Sequence, residues 1–267
     1  MMSNRYELLR RVGEGAMGVV WHARDRERGI DVALKTMRPE LARFPQAVRG
    51  LRAEADLCAR TEGPHVVRVL DVSTRPGEAY VAYELLEGET LKERLEREGA
   101  LDADTTRAIV CQLARALARI HERGVVHRDL KPANVFLVPC DDGGVHVKLL
   151  DFGLADDGDH PDDFAGTPDY MAPEVLLGEQ RADRAADLYA LAVLAHECLT
   201  GALPHAGCAF DTLEGRFTAD IAPVEAARPE LPAAVTPWLR RGLARDPGQR
   251  FADAAELAAT CARALGA

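Results

Sequence analysis

The chain has 267 residues, 47% apolar and 28% charged, with a net charge of −10. That length is long for one core and ordinary for two lobes sharing a cleft, and the composition allows a buried interior under a charged surface. The acidic balance argues against nucleic acid as a partner, because phosphate backbones need a basic surface, and it would suit a basic peptide. No apolar run approaches the roughly 20 residues of a membrane span. The start, Met1-Met2-Ser3-Asn4-Arg5-Tyr6, has no apolar signal core, so neither a membrane partner nor secretion is expected. The six cysteines, Cys58, Cys111, Cys140, Cys198, Cys208 and Cys261, form no C-x-x-C pair. Free thiols in a reducing compartment, and hence a cytoplasmic location, are the expectation.

In chain order, residues 6–12, 19–24 and 32–37 read as strands, with glycines between the first two. A helix over 46–60 follows, with Val48, Leu51, Ala55 and Cys58 at helical spacing. Strands resume at 66–72 and 79–85. Thr90 is placed to cap a short helix to Arg97, with Glu93 completing a capping box. Asp102 or Asp104 caps a long helix closed by Gly124. Strand and loop follow to about residue 169, and the remainder is Ala- and Leu-rich helix. The expectation is an α+β chain with a β-rich lobe over 6–84, a connector at 85–88 and a helical lobe over 89–267.

Gly13-Glu14-Gly15-Ala16-Met17-Gly18-Val19-Val20 gives G-x-G-x-x-G-x-V. Alone, this pattern is weak, since dinucleotide-binding folds share G-x-G-x-x-G and a plain hairpin turn is a further alternative. A dinucleotide loop should open a helix, whereas Val19-Val20-Trp21 reads as strand. A hairpin whose glycines let backbone N–H groups approach a triphosphate fits better. Lys35, in Val32-Ala33-Leu34-Lys35, sits on a strand of buried character and needs a partner. Glu54, on the apolar side of the next helix, is the candidate; the alternative is an ordinary solvated carboxylate.

His127-Arg128-Asp129-Leu130-Lys131-Pro132-Ala133-Asn134 is the most specific segment, followed by Asp151-Phe152-Gly153 and by Met171-Ala172-Pro173-Glu174. Together with the glycine loop and V-A-L-K, these motifs resemble bacterial Hanks-type (eukaryotic-like) Ser/Thr protein kinase catalytic domains over residues 6 to 262. The resemblance implies a bilobal kinase-like fold and transfer of the ATP γ-phosphate to Ser or Thr of a protein substrate, with autophosphorylation expected. It implies catalytic roles for Asp129 (base), Lys131 (γ-phosphate), Lys35 and its partner Glu54, and Thr167 (bracing Asp129 and Lys131). Asn134 and Asp151 would hold Mg²⁺, with Mn²⁺ a substitute, since their oxygens suit a hard ion. ATP would lie against Val12, Gly13, Glu14, Gly15, Ala16, Met17, Gly18, Val20, Ala33 and Lys35. Tyr83 would be the gatekeeper, Glu84 and Leu86 part of the hinge, and Phe136 the floor, where relatives carry an aliphatic residue. Asp187 would hold the 127–128 backbone, and Arg250 would pair with Glu174. Ala192 stands where relatives usually have glycine.

The stretch 154–165 holds five aspartates and no Ser, Thr or Tyr. A phosphorylated activation segment is thus not expected there. Asp162 or Asp163 could stand in for the phosphate by pairing with Arg128, or the stretch is a solvated acidic loop, with control by an activating partner an option. The 139–144 loop reads as an extended hairpin, and 201–229 as poorly periodic. A scaffold without catalysis and a small-molecule kinase remain the alternatives. The first would need a lost lysine, base or metal ligand, and the second typically lacks the full motif set.

Overall fold

The computed structural model describes residues 5–15, 17–75, 77–153, 155, 167–204 and 220–266. Two compact units divide the chain: residues up to Glu87 together with Asp151–Gly153, and the remainder. The sequence reading leaves 151–153 with the helical lobe. Here they join the strand-rich unit, where Asp151 reaches Lys35 and Phe152 is buried.

In the first unit, five antiparallel strands run in the order β1-β2-β3-β5-β4: β1 Tyr6–Glu14, β2 Gly18–Asp25, β3 Ile30–Met37, β4 Val69–Arg75 and β5 Glu78–Glu84. The two-residue period of a strand gives the sheet two faces. Val32, Leu34, Tyr80 and Ala82 share a core with Tyr6 and Ala23. Met37, Ala79 and Val81 form the second core with Leu51 and Ala55 of α1 (Pro45–Arg60). Lys35 has the parity of Met37, so it is carried on the face that α1 covers. On α1 the buried residues Leu51, Glu54, Ala55 and Cys58 follow i, i+3, i+4, i+7 spacing, which sets a carboxylate into an apolar stripe.

The ladder after α1 begins at Val69, three residues later than the pattern predicts. Val66 and Val67 are buried in the turn that precedes it. Val66 N–H donates to Gly63 O, and Val67 O accepts from the Cys58 thiol at 3.1 Å. Hydrophobic pattern reports burial, and here burial comes with an isolated bridge at Val66 rather than a ladder. Near the start of β1, Arg5 joins Asp25 at 2.8 Å and Asp71 at 3.0 Å, while Tyr6 and Tyr80 both donate to Asp71 at 3.0 Å. The hydrogen bond from Arg5 holds the Asp25 carboxyl down at about 2, against an ordinary 3.8.

The second unit carries a three-stranded sheet, β6-β7-β8, of β6 Glu89–Thr90, β7 Val135–Pro139 and β8 Val145–Leu149. Thr90 and Glu93 form a reciprocal capping box on α2 (Leu91–Glu98). Asp102, not Asp104, caps α3 (Ala103–Glu122), accepting from Thr105 N at 2.8 Å. Beyond it lie α4 (Pro173–Leu176), α5 (Arg184–Thr200), α6 (Val224–Ala227), α7 (Val235–Gly242) and α8 (Ala254–Ala264). α5 is buried over most of its length, as an all-round apolar helix must be. The 139–144 hairpin turn is exposed. Of the 201–229 stretch the described part contains only α6. Among the described residues no helix is long and apolar enough to cross a membrane.

Gly242 explains how Ala192 is accommodated. A Cβ at Gly242 would stand 2.6 Å from the Ala192 Cβ and 3.3 Å from the Phe251 ring. The close approach of α5 and α7 therefore needs one missing methyl, and this chain removes it from α7 rather than from α5.

Gly242→Ala should cost roughly 1–3 kcal/mol of stability by overpacking. Adding Ala192→Gly should recover part of that loss, measured as non-additivity in a urea double-mutant cycle. For Asp25 the pKa lies lower in the folded chain, so its contribution is complete above about pH 3.8 and fades toward pH 2. The melting-temperature gap between wild type and Asp25→Asn should be full at neutral pH and close over that window.

Candidate active site

Two sets of side chains carry the chemistry, one in each unit. In the first, the loop between β1 and β2 is closed by Gly15 N donating to Gly18 O at 2.9 Å. Its glycines serve different ends. A Cβ at Gly18 would lie 1.9 Å from the Thr36 carbonyl oxygen, so β3 itself demands glycine there. Gly15 has nothing within 4 Å of that position and Gly13 only Val20 at 3.8 Å, so the fold alone does not require either. Open backbone at these two positions is what close approach by a ligand needs. Glu14 is paired with Arg11 and with Arg38, the latter at 2.5 Å. Val12 and Met17 present exposed apolar side chains beside the loop.

Lys35 Nζ donates to Glu54 Oε1 at 2.7 Å and Oε2 at 2.9 Å, and lies 3.4 Å from Asp151 Oδ1. Burial works against the ammonium, but the two carboxylates outweigh it and hold the Lys35 pKa above its ordinary value. Tyr83 OH donates to Glu54 Oε1 at 2.7 Å. Asp151 adopts a left-handed backbone, φ 55°, a conformation that costs a non-glycine residue about 1–3 kcal/mol. Gly153 N–H binds its Oδ1 at 3.1 Å.

In the second unit the loop 127–134 is organised by Asp187. Its Oδ2 accepts from His127 N at 2.9 Å, and its Oδ1 from Arg128 N at 3.0 Å. His121 Nε2 lies 2.8 Å from Oδ2. Burial opposes the ionised carboxylate, yet His121 and the backbone N–H groups overcome it, and the Asp187 pKa is lowered. Arg128 is left-handed, φ 67°. Immediately after it, Asp129 is held on three sides. Thr167 Oγ1 donates to Oδ1 at 3.0 Å. Lys131 Nζ donates to Oδ2 at 2.6 Å and also to Thr167 Oγ1 at 2.8 Å. Asn134 Nδ2 donates to Oδ2 at 3.0 Å and to the Asp129 carbonyl at 2.8 Å. With its nitrogen committed, the Asn134 amide directs its oxygen away from Asp129. Glu174 and Arg250 form a buried bidentate pair at 2.8 and 2.6 Å.

The family model for the protein kinase domain matches residues 6–258. The chain belongs to the protein kinase family. Among curated relatives it is 35% identical to the serine/threonine-protein kinase PknD of Mycobacterium tuberculosis over 97% of this chain and 40% of that one. It is 36% identical to PknH of Mycobacterium bovis over 99% of this chain and 44% of the relative. The chain thus spans about two-fifths of the length of these relatives. Among solved structures, the Mycobacterium tuberculosis PknI kinase domain matches with a TM-score of 0.74 and 30% identity, covering 98% of this chain and 97% of that one.

Within this kinase domain the structure brings Lys35 to Glu54 and Asp151, and gathers Asp129, Lys131, Asn134 and Thr167 around one carboxylate. Ala33 and Tyr83 are cross-strand partners, and Phe136 faces Thr90 across β6 and β7. Ala16, Asp162, Asp163 and Gly166 lie outside the described residues. Sequence reasoning missed His121 and the Tyr83–Glu54 hydrogen bond. His121 continues the i, i+4 series Leu113–Leu117 on the buried face of α3, and a histidine in that register was the available signal.

Asp187→Ala should strip three donors of their acceptor and cost roughly 3 kcal/mol or more of stability in urea unfolding. Asp187→Asn, which keeps one acceptor oxygen, should fall between that variant and wild type.

Proposed function

We propose that this kinase domain transfers the γ-phosphate of ATP to Ser or Thr hydroxyls of a protein substrate, its own chain included, with Mg²⁺ as the required ion. The observation that carries the reading is the fixed carboxylate of Asp129. Thr167, Lys131 and Asn134 hold it, while Oδ1 accepts only one of these bonds and keeps capacity for a substrate hydroxyl. Asp129 would accept that hydroxyl's hydrogen bond and take its proton. The single Thr167 proton is committed to Asp129, so the Lys131 ammonium is oriented by both neighbours and would present its charge to the transferred group.

The donor chemistry suits a hard cation. The Asn134 amide oxygen in the second unit and the Asp151 carboxylate in the first are each oxygen donors, and Asp151 is fixed by Gly153 N–H. Mg²⁺ held by such oxygens would neutralise charge on the phosphates. The loop 13–18 and Lys35 would cradle the triphosphate, with Val12, Val20 and Ala33 walling the purine and Glu84 and Leu86 offering backbone groups to its edge. The full set of lysine, base and metal ligands supports catalysis over a scaffold role. A protein substrate rather than a small molecule is favoured by the match to the protein kinase domain over residues 6–258.

Labelled ATP with Mg²⁺ and a basic Ser/Thr peptide should give transfer to peptide and chain, read by phosphopeptide mapping. EDTA should abolish it, and Mg²⁺ or Mn²⁺ restore it. Asp129→Asn should lower turnover by about 10²- to 10⁴-fold, the usual share of a general base. Transfer that survives Asp129→Asn would remove the basis of the assignment.

A further inference from the structure

Glu54 is a carboxylate only 2% exposed, set into the apolar stripe of α1 between Leu51, Ala55 and Cys58. A buried carboxylate needs several donors to stay ionised. It has two: Lys35, which contacts both oxygens, and the Tyr83 phenol, which shares Oε1 with Lys35 at the same 2.7 Å. Lys35 is also drawn toward a rival, the half-exposed carboxylate of Asp151, at 3.4 Å. The lysine alone therefore cannot fix where Glu54 sits, because it can lean to either carboxylate.

Tyr83 has no such choice. It lies on β5, flanked by β3 and β4 in the sheet, opposite Ala33 on one side and Val69 on the other. Its ring packs against the core formed by Met37, Leu51, Ala55, Ala79 and Val81. The following residue is tied down as well: Glu84 N–H donates to Arg68 O, and the Glu84 carboxylate accepts from Arg68 N, each at 2.9 Å. The phenol is thus a fixed post on an interior strand, and its proton points at the one carboxylate of α1 that holds Lys35.

We infer that Tyr83 is a positioning residue: its hydroxyl anchors Glu54, and through it α1, so that Lys35 is held on Glu54 rather than on Asp151. This rests on the kinase reading for its activity measurement only. The groups facing Glu54 are Lys35 from β3, Tyr83 from β5, Asp151 from the segment after β8, and Cys58 on α1 itself. Burial raises the Glu54 pKa, and the Tyr83 hydrogen bond opposes that rise. Removing the hydroxyl should therefore move protonation of Glu54, and with it the acid limb of the rate profile, to higher pH.

The test uses Tyr83→Phe, which keeps the ring and its packing. At neutral pH, kcat/KM for ATP should fall about tenfold to a hundredfold, the effect of losing one hydrogen bond to a buried charge. The acid limb should shift upward. In a Glu54→Leu background, which has no acceptor for the phenol, the same substitution should have no further effect. Hydrogen exchange should speed up in residues 51–58 and stay unchanged in α3 and α5, a readout that needs no phosphotransfer. Unchanged kinetics with unchanged α1 exchange would overturn the proposal. So would an equal loss in the Glu54→Leu background, which would mean that Tyr83 acts on the nucleotide rather than on Glu54. If the wild type transfers no phosphate, the kinase reading fails, and exchange in 51–58 still decides the anchoring role.

Discussion

The buried carboxylate of Asp187 is the interaction on which the catalytic loop depends. It lies on α5, the helix most deeply enclosed in its unit, and accepts the N–H groups of two consecutive loop residues. Two parallel hydrogen bonds to adjacent amides fix a peptide plane as well as a point. That fixation supports the left-handed turn at Arg128, which would otherwise be unfavourable for a side chain with a Cβ. The next residue is Asp129, so the strain held by Asp187 sets the direction in which the candidate base points. His121 closes the third side of the carboxylate and belongs to the same device although it lies outside every motif.

The same economy appears in the strand-rich unit. Lys35 and Glu54 meet because two periodicities coincide: the two-residue alternation of β3 and the 3.6-residue repeat of α1 both turn inward at these residues. The left-handed Asp151 brings a second carboxylate to the same ammonium. Among the described residues each unit therefore holds one left-handed non-glycine residue, and each belongs to a motif, as expected where precise aim matters more than backbone comfort.

Much of this was legible in the sequence, for identifiable reasons. Lys35 and Glu54 could be paired on paper because a charge in an apolar pattern must find its opposite. Thr90 and Asp102 announced their helices through capping chemistry that acts over three residues. What could not be read was of two kinds. Val66 and Val67 have the composition of a strand, yet pairing depends on a neighbour that composition does not name. The attachment of 151–153 to the first unit, the Tyr83–Glu54 bond and the role of His121 all join residues 29 to 116 positions apart, and no local signal carries such distances. Gly18 was legible as a motif glycine and misread as to cause, since the backbone of β3 alone requires it.

The crossing of α5 and α7 bears on how such a chain can change over time. Only one methyl fits between Ala192 and Gly242, so the constraint belongs to the pair and not to either residue. A lineage passing from one arrangement to the other has a preferred order of events: the vacancy must open on one helix before the methyl appears on the other. The intermediate with glycine on both helices is loosened but foldable, whereas the one with a methyl on both is crowded. Positions of this sort look tolerant when lineages are compared and intolerant when either residue is changed alone, because whether the first can change depends on what the second already is.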